Sequence, residues 1–359
     1  MQFIKPDINI NFIGQRKITH VLSGVLILLT VLLLLFRGGP NYGVDFAGGI
    51  LIQVRFDHQL RPGEIREALR PIGLQDSIVQ EFGEKGKAEY LIRVSKTDID
   101  LSGLSREVTS SLNSSFGEAN VEVRRVEMVG PKVGKDLREK ALFAIFYALL
   151  FMVIYISGRF EYKWTMSIIM AVSLAFGVYI ISAIGMSIIW LIAAALLITI
   201  GLCWFLRLEY ALGAIVALFH DVIITMGAFA LTNREITLPV VAALLTIVGY
   251  SLNDTIVVFD RIRENYRRQR NRNFSEVINH SINETLSRTL LTSATTLIVV
   301  GFLFILGGGV IHDFAFALFV GILAGTYSSI YVASPVLLIW GSQGSEGGGV
   351  RTSRQRKGS

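Results

Sequence analysis

Apolar residues run through this chain in eight long stretches, separated by short polar turns and, once, by a long block of mixed character. The stretches lie at about 18–36, 141–157, 165–184, 187–206, 210–231, 238–259, 289–307 and 314–339. Each approaches or exceeds the roughly 20 residues that cross the hydrocarbon of a bilayer, and the short one at 141–157 is lengthened by its flanks. The mixed block, roughly 38 to 135, has other periods. Ile50–Phe56 reads as a strand, Pro62–Arg70 as a helix with proline in its first turn, and Ser77–Phe82 and Tyr90–Val94 as two strands joined by a Gly83–Gly86 turn. Leu101–Phe116 is an amphipathic helix and Val121–Met128 a last strand. The order βαββαβ predicts a ferredoxin-like α+β domain of about 80–90 residues, enough for a modest core.

Composition agrees with the pattern. Of 359 residues 52% are hydrophobic and 17% charged, against about 25% charged in soluble domains, so the fold class is an α-helical polytopic membrane protein. The net charge of +6 reports topology. Of 34 basic and 28 acidic residues, 16 of each fall between Arg37 and Lys140, leaving 18 basic and 12 acidic outside that block. Lys5, Arg16 and Lys17, then Arg159 and Lys163, Arg207, the arginines from Arg261 to Arg272, and the tail from Arg351 to Lys357 all fall on one side of the eight-span scheme. The positive-inside rule makes that side the cytoplasm, with both termini there and the mixed block outside. This distribution is no nucleic-acid footprint. The expected organisation is an amino terminus and first span over 1–37, an outer domain over 38–137, a seven-span bundle over 138–340 with a basic inner loop at 260–288, and a basic tail over 341–359. The first apolar stretch is too long for a signal core and no small-x-small site follows, so it reads as an uncleaved span. Cys203, the one cysteine, excludes an intramolecular disulfide.

The sequence also echoes itself. Arg159-Phe160-Glu161-Tyr162 returns as Arg207-Leu208-Glu209-Tyr210, each time between two apolar spans. It reads as a two-span duplication near 160–206 or as a chance likeness of membrane sequence.

Candidate chemistry lies in the spans. Asp254 is 7 residues before Arg261, roughly 10 Å inside the membrane edge, where a carboxylate costs several kcal/mol unless paired or protonated. It stands in a notch with Ser251, Asn253 and Thr255, and shares a helical face with Thr246 and Tyr250 that is expected to point into a bundle. The alternative is a side chain that reaches the interface and pairs with Arg261. Asp221, preceded by His220, lies 12 residues past Glu209, roughly 18 Å along a helix. The pair reads either as a proton relay or as a packing pair satisfied by hydroxyls. Arg288 opens the seventh span ahead of Thr289, Thr292, Ser293 and Thr296, one hydroxylated stripe. It is a counter-ion for Asp254 or an interfacial anchor. A capping box is expected near Asn273 and Glu276, and lipid headgroups account for the arginines of that connector. Asp45, Gly48 and Gly49 lie in GVDFAGG between the first span and the first strand, a tight turn with an acid at the outer mouth. Gly321 and Gly325 give a small-xxx-small face, and Ser328, Ser329, Ser334 and Pro335 a local kink. Gly130–Asp136 superficially resembles a phosphate loop, but its spacing is one short and an aspartate replaces the hydroxyl that binds Mg²⁺. No nucleophile–base set, metal cluster or cofactor motif is read, so the chain is taken for a non-enzyme driven by an ion gradient.

GVDFAGG at 43–49, His220-Asp221, GYSLNDTIVVFDRIREN at 249–265, SRTLLTSATT at 287–296 and YSSIYVASP at 327–335 together resemble SecF, over about residues 10–340. The resemblance implies an RND-type bundle with one periplasmic domain in the inner membrane. It also implies partnership with SecD, YajC and the SecYEG translocon, and use of the proton-motive force in late export of unfolded preproteins. By motif, Asp254 and Arg288 match the family's membrane ion pair, and a second carboxylate would come from SecD. SecF has six spans where eight are read here. Rival readings are half of an RND exporter of lipids or hydrophobic compounds, and a scaffold of the translocon.

Overall fold

The computed structural model describes residues 8–82, 88–94, 101–117, 121–161, 188–269 and 272–341, with isolated positions between 165 and 176. Helix α1 (Arg16–Phe36) leads through a short helix α2 (Val44–Ala47) into a four-stranded sheet domain. That domain comprises β1 (Gly49–Phe56), α3 (Pro62–Ala68), β2 (Ile78–Phe82), β3 (Glu89–Val94), α4 (Leu101–Phe116) and β4 (Val121–Val129). The chain then enters α5 (Pro131–Glu161), α6 (Ile188–Phe205), α7 (Glu209–Thr232), α8 (Leu238–Arg268), α9 (Phe274–Leu306) and α10 (Gly309–Ser328).

The sheet order is β2-β3-β1-β4, every pair antiparallel. Each helix therefore crosses between strands that have a third strand between them, the split βαβ arrangement. Ile50, Ile52, Val54 and Phe56 are buried at alternate positions of β1 against Ile65, Leu69, Leu104, Val108 and Leu112 of the helical layer. The Tyr90 hydroxyl donates to Leu60 O at 2.6 Å and accepts from Leu60 N at 2.8 Å, which satisfies a polar group inside that core. The expected helix over 62–70 ends at Ala68 and continues as a 3₁₀ turn, Arg70–Ile72, closed by Gly73 at φ +73°. The expected Gly83–Gly86 turn lies outside the described residues.

Among the described residues six helices are long and apolar enough to span a membrane, beginning at Arg16, Pro131, Glu209, Leu238, Phe274 and Ile311. The expected span at 165–184 falls almost wholly outside the described residues, and the one at 187–206 corresponds to α6. Helices α7, α8 and α10 form the enclosed centre, while α1 and α9 turn most of their apolar surface outward. The small-residue face of α10 does the work expected of it. Gly321 lies against Ile247 and Gly325 against Ser251 of α8, so two backbones approach closely. After Ser328 the helix widens into a π-turn, Ser329–Ala333, where Ser334 Oγ donates to Ser329 O at 2.8 Å. This is the kink that the serines and Pro335 led one to expect. The inner loop at 260–288 is instead a helical hairpin. Helix α8 runs to Arg268, α9 begins at Phe274, and Asn273 caps α9 by accepting from Ser275 N at 3.2 Å.

A Cβ on Gly325 would stand 2.9 Å from Ser251 Cβ, whereas one on Gly249 would meet nothing within 4 Å. Gly325→Ala is therefore expected to destabilise the bundle by about 1–3 kcal/mol. Gly249→Ala is expected to be neutral or to stabilise by up to about 1 kcal/mol. Thermal unfolding of the two variants in detergent checks the opposite signs.

Candidate functional site

Asp221, on α7, is fully buried, and three neighbouring side chains meet its carboxylate. Ser251 Oγ on α8 donates to Oδ2 at 2.5 Å, Ser328 Oγ at the end of α10 donates to Oδ2 at 2.8 Å, and His220 Nδ1 lies 2.9 Å from Oδ1. One carboxylate thereby ties three helices at the point where α10 passes into its π-turn. His220 stacks on Tyr327, with ring centroids 5.7 Å apart, and its Nε2 is buried without a hydrogen-bond partner. The Tyr327 hydroxyl continues outward, donating to Thr19 O of α1 at 2.9 Å and accepting from Ser23 at 3.2 Å.

Asp254 sits one turn further along α8 than Ser251 and is also buried. Its hydrogen bond comes from Ser293 of α9, Oγ to Oδ2 at 3.2 Å, and Ser293 in turn accepts from Thr326 of α10 at 2.7 Å. Arg288, also on α9, is exposed and forms no direct ion pair with Asp254 among the described residues. The interfacial alternative fails, since Arg261 binds Glu264 at 2.9 Å and Glu284 at 3.2 Å. A buried carboxylate with one neutral hydroxyl donor is an under-compensated charge, which a proton or a nearer guanidinium would relieve.

One expectation needs correction. The Thr246–Tyr250–Asp254 face does not point inward along its whole length: Asp254 is buried, Tyr250 half-buried and bonded to Thr296 at 3.2 Å, and Thr246 exposed. The hydroxylated stripe of α9 likewise straddles the boundary, with Thr289 and Ser293 buried and Thr292 exposed. The cause is geometric. Helix α9 packs on α8 and α10 along a single edge, so residues 3 or 4 apart diverge across that edge. Asn253 of α8 and Arg288 of α9 are both exposed.

At the amino-terminal end of α8 the GVDFAGG segment closes the helix. Asp45 Oδ2 accepts from Leu238 N at 2.9 Å, occupying one of the donors that a helix start leaves free. Gly43 N donates to Ile236 O at 2.9 Å and Ile236 N to Asn41 O at 2.7 Å, so the segment lies along the α7–α8 turn. Gly48 and Gly49 adopt φ +76° and +126°. A side chain at Gly48 would strike Pro131 Cα at 2.9 Å, and Gly134 passes as closely over Phe46 O and Gly48 N. The glycine pair thus turns α2 into β1 beneath the start of α5. Gly130–Asp136, read above as a failed phosphate loop, is the first turn of α5 and uses Gly134 for this approach. Arg93 of β3 pairs with Glu235 in the same turn, and burial holds the Arg93 guanidinium below its usual pKa. Arg234 pairs with Asp313 of α10 and lies over the Phe316 ring at 4.5 Å. The sequence carried no local signal for these two pairs, because the partners are 142 and 79 residues apart.

Two family models match the chain. The C-terminal model of the protein export membrane proteins SecD/SecF matches residues 108–201 and 182–343, and the SecD/SecF GG motif matches residues 33–59. Protein translocase subunit SecF of Magnetococcus marinus is 43% identical over 94% of this chain and 94% of its own length. That of Calditerrivibrio nitroreducens is 40% identical over 94% and 96%. This chain belongs to the SecF family of protein translocase subunits. The crystal structure of SecDF, a translocon-associated membrane protein from Thermus thermophilus, superposes with TM-score 0.68 at 30% identity, over 94% of this chain and 39% of that one. SecDF in its super-membrane-facing form gives 0.56 at the same identity, over 97% and 40%. The SecF-type chain thus spans about two-fifths of those SecDF chains.

In this SecF-family chain the glycine pair of the GG motif forms the turn from α2 into β1, and Asp45 caps the start of α8. Asp45→Ala is expected to cost about 0.5–2 kcal/mol of stability and to fray the start of α8. Asp45→Asn, which keeps an acceptor oxygen, is expected to cost much less. Hydrogen exchange of the Leu238–Val241 amides distinguishes the two.

Proposed function

We propose that the chain, in complex with SecD, couples proton entry to a displacement of α8 and so promotes late export of preproteins. In this reading it sits in the inner membrane, with both termini cytoplasmic and the sheet domain periplasmic, beside SecYEG and YajC. Asp254 takes up and releases a proton, and Arg288 moves toward it when it is charged. The charge is worth about 2.3 kcal/mol per 100 mV crossed, comparable with the few kcal/mol that separate two packed arrangements of a bundle.

The observation that carries the reading is the placement of Asp254. Its carboxylate is buried with one neutral donor, on a continuous helix whose outer cap, Asp45, lies in the segment that becomes β1. Movement of that helix reaches the sheet domain through Asp45, and through Glu235 on Arg93. The exposed Asn253, Thr246 and Thr292, polar groups at bilayer depth, mark the face that SecD would cover. The two overlapping stretches of the family match and the Arg159/Arg207 echo support a duplicated pair of spans over 160–206.

Preprotein export into membrane vesicles, with and without a proton gradient, tests the coupling. Asp254→Asn is expected to abolish the gradient-dependent part of export while SecD still co-purifies. Arg288→Gln is expected to reduce it by about tenfold or more. Full gradient stimulation in Asp254→Asn would leave only the scaffold reading.

A further inference from the structure

Below the GG-motif joint the bundle holds an apolar cavity of about 230 Å³, and we infer that it is a binding site for an anionic phospholipid of the leaflet on the sheet side. The inference stands apart from the proton reading, since it rests on shape and charge at another place.

One face of α5 forms the long wall, with Arg138, Ala141, Ile145 and Leu149 at helical spacing, and Phe219, Ile223 and Met226 of α7 form the opposite one. Val241 and Leu244 of α8 close the back, and Tyr42 and Phe46 close the top. Most of these side chains are half-buried, so the space reaches the surface of the bundle. Water gains nothing there: a smaller engineered cavity of about 150 Å³ with similar walls stays dry and takes a hydrocarbon. From Arg138 to Leu149 is roughly 16 Å along a helix, about half of the roughly 30 Å hydrocarbon thickness. The cavity therefore has the depth of one leaflet, which fits an acyl chain.

The mouth selects the headgroup. Arg138 lines the cavity half-buried, its guanidinium 5.4 Å from the centre of the Tyr42 ring, and no carboxylate among the described residues pairs with it. Lys132 and Lys135 precede it at i−6 and i−3 on the exposed first turns of α5, while Lys140 is engaged by Asp136 at 2.8 Å. Arg138 at the slot itself, with Lys132 and Lys135 within two turns of it on the same helix and no carboxylate paired to any of the three among the described residues, is complementary to a lipid phosphate with a further negative charge. A chain seated there separates α5 from α7 and α8 directly under the α2 joint, so lipid composition would set how firmly the sheet domain is held.

The full chain, reconstituted in phosphatidylcholine vesicles, is photolabelled with phosphatidylglycerol or phosphatidylcholine bearing a mid-chain diazirine, and adducts are mapped by mass spectrometry. Adducts of the phosphatidylglycerol probe are expected to concentrate on Ile145, Leu149 and Phe219. Arg138→Gln is expected to lower them about fivefold, the weight of one basic residue beside an anionic headgroup, with phosphatidylcholine labelling unchanged. Ile145→Trp, which fills the slot, is expected to remove cavity adducts of both probes and spare those on Leu28 and Leu32 of α1. Cavity labelling no denser than on α1, or equal phosphatidylglycerol labelling in Arg138→Gln, would overturn the site. So would occupation of the slot by the chain's own 165–184 segment, seen as absence of cavity adducts in the unaltered protein.

Discussion

A carboxylate held at bilayer depth has to find its hydrogen bonds inside the protein, because no solvent is there to supply them. That constraint organises the centre of this molecule. Asp221 meets it fully, with two serines and a histidine drawn from three helices, and so fixes where α7, α8 and α10 cross. Asp254 meets it only in part, through Ser293. The two acids lie on adjacent packed helices, one secured and one left in need of a partner. The contrast is the basis for proposing Asp254, and not Asp221, as the group that responds to a proton.

Helix continuity links this centre to the segment that leads into the sheet domain. Helix α8 has 31 residues, roughly 46 Å, and so extends well past the hydrocarbon. Its carboxy-terminal extension is braced by Asn265, which donates to Ser281 at 3.0 Å and to Glu284 at 2.6 Å across the α8–α9 hairpin. Its amino-terminal end is capped by Asp45 and flanked by the Glu235–Arg93 and Arg234–Asp313 pairs. Asp254 lies midway along this continuous helix, which is why the proposed coupling is routed through it.

Much of this was legible along the chain. Alternation gave β1, proline the start of α3, and amphipathic spacing the whole of α4, because each depends on neighbours within a few residues. The acids at 221 and 254 stood out because a charge in an apolar run is rare whatever surrounds it. The GG turn was visible, but not its purpose: the contact of Gly48 with Pro131 joins residues 83 apart. The direction of the Thr246 face was misread for a similar reason. Helical spacing says which residues share a face, and only packing says what that face meets. The Asn253 side of the bundle is polar where lipid would otherwise lie, a pattern that a lone chain cannot satisfy.

Infrared difference spectroscopy of the assembled complex, recorded as a proton gradient is applied and collapsed, interrogates the Asp254 carboxyl itself. A protonated-carboxyl band that rises and falls with the gradient, and is missing in Asp254→Asn, is the expected result. A spectrum in which no carboxyl band follows the gradient, or in which the band survives Asp254→Asn, would contradict coupling through this residue.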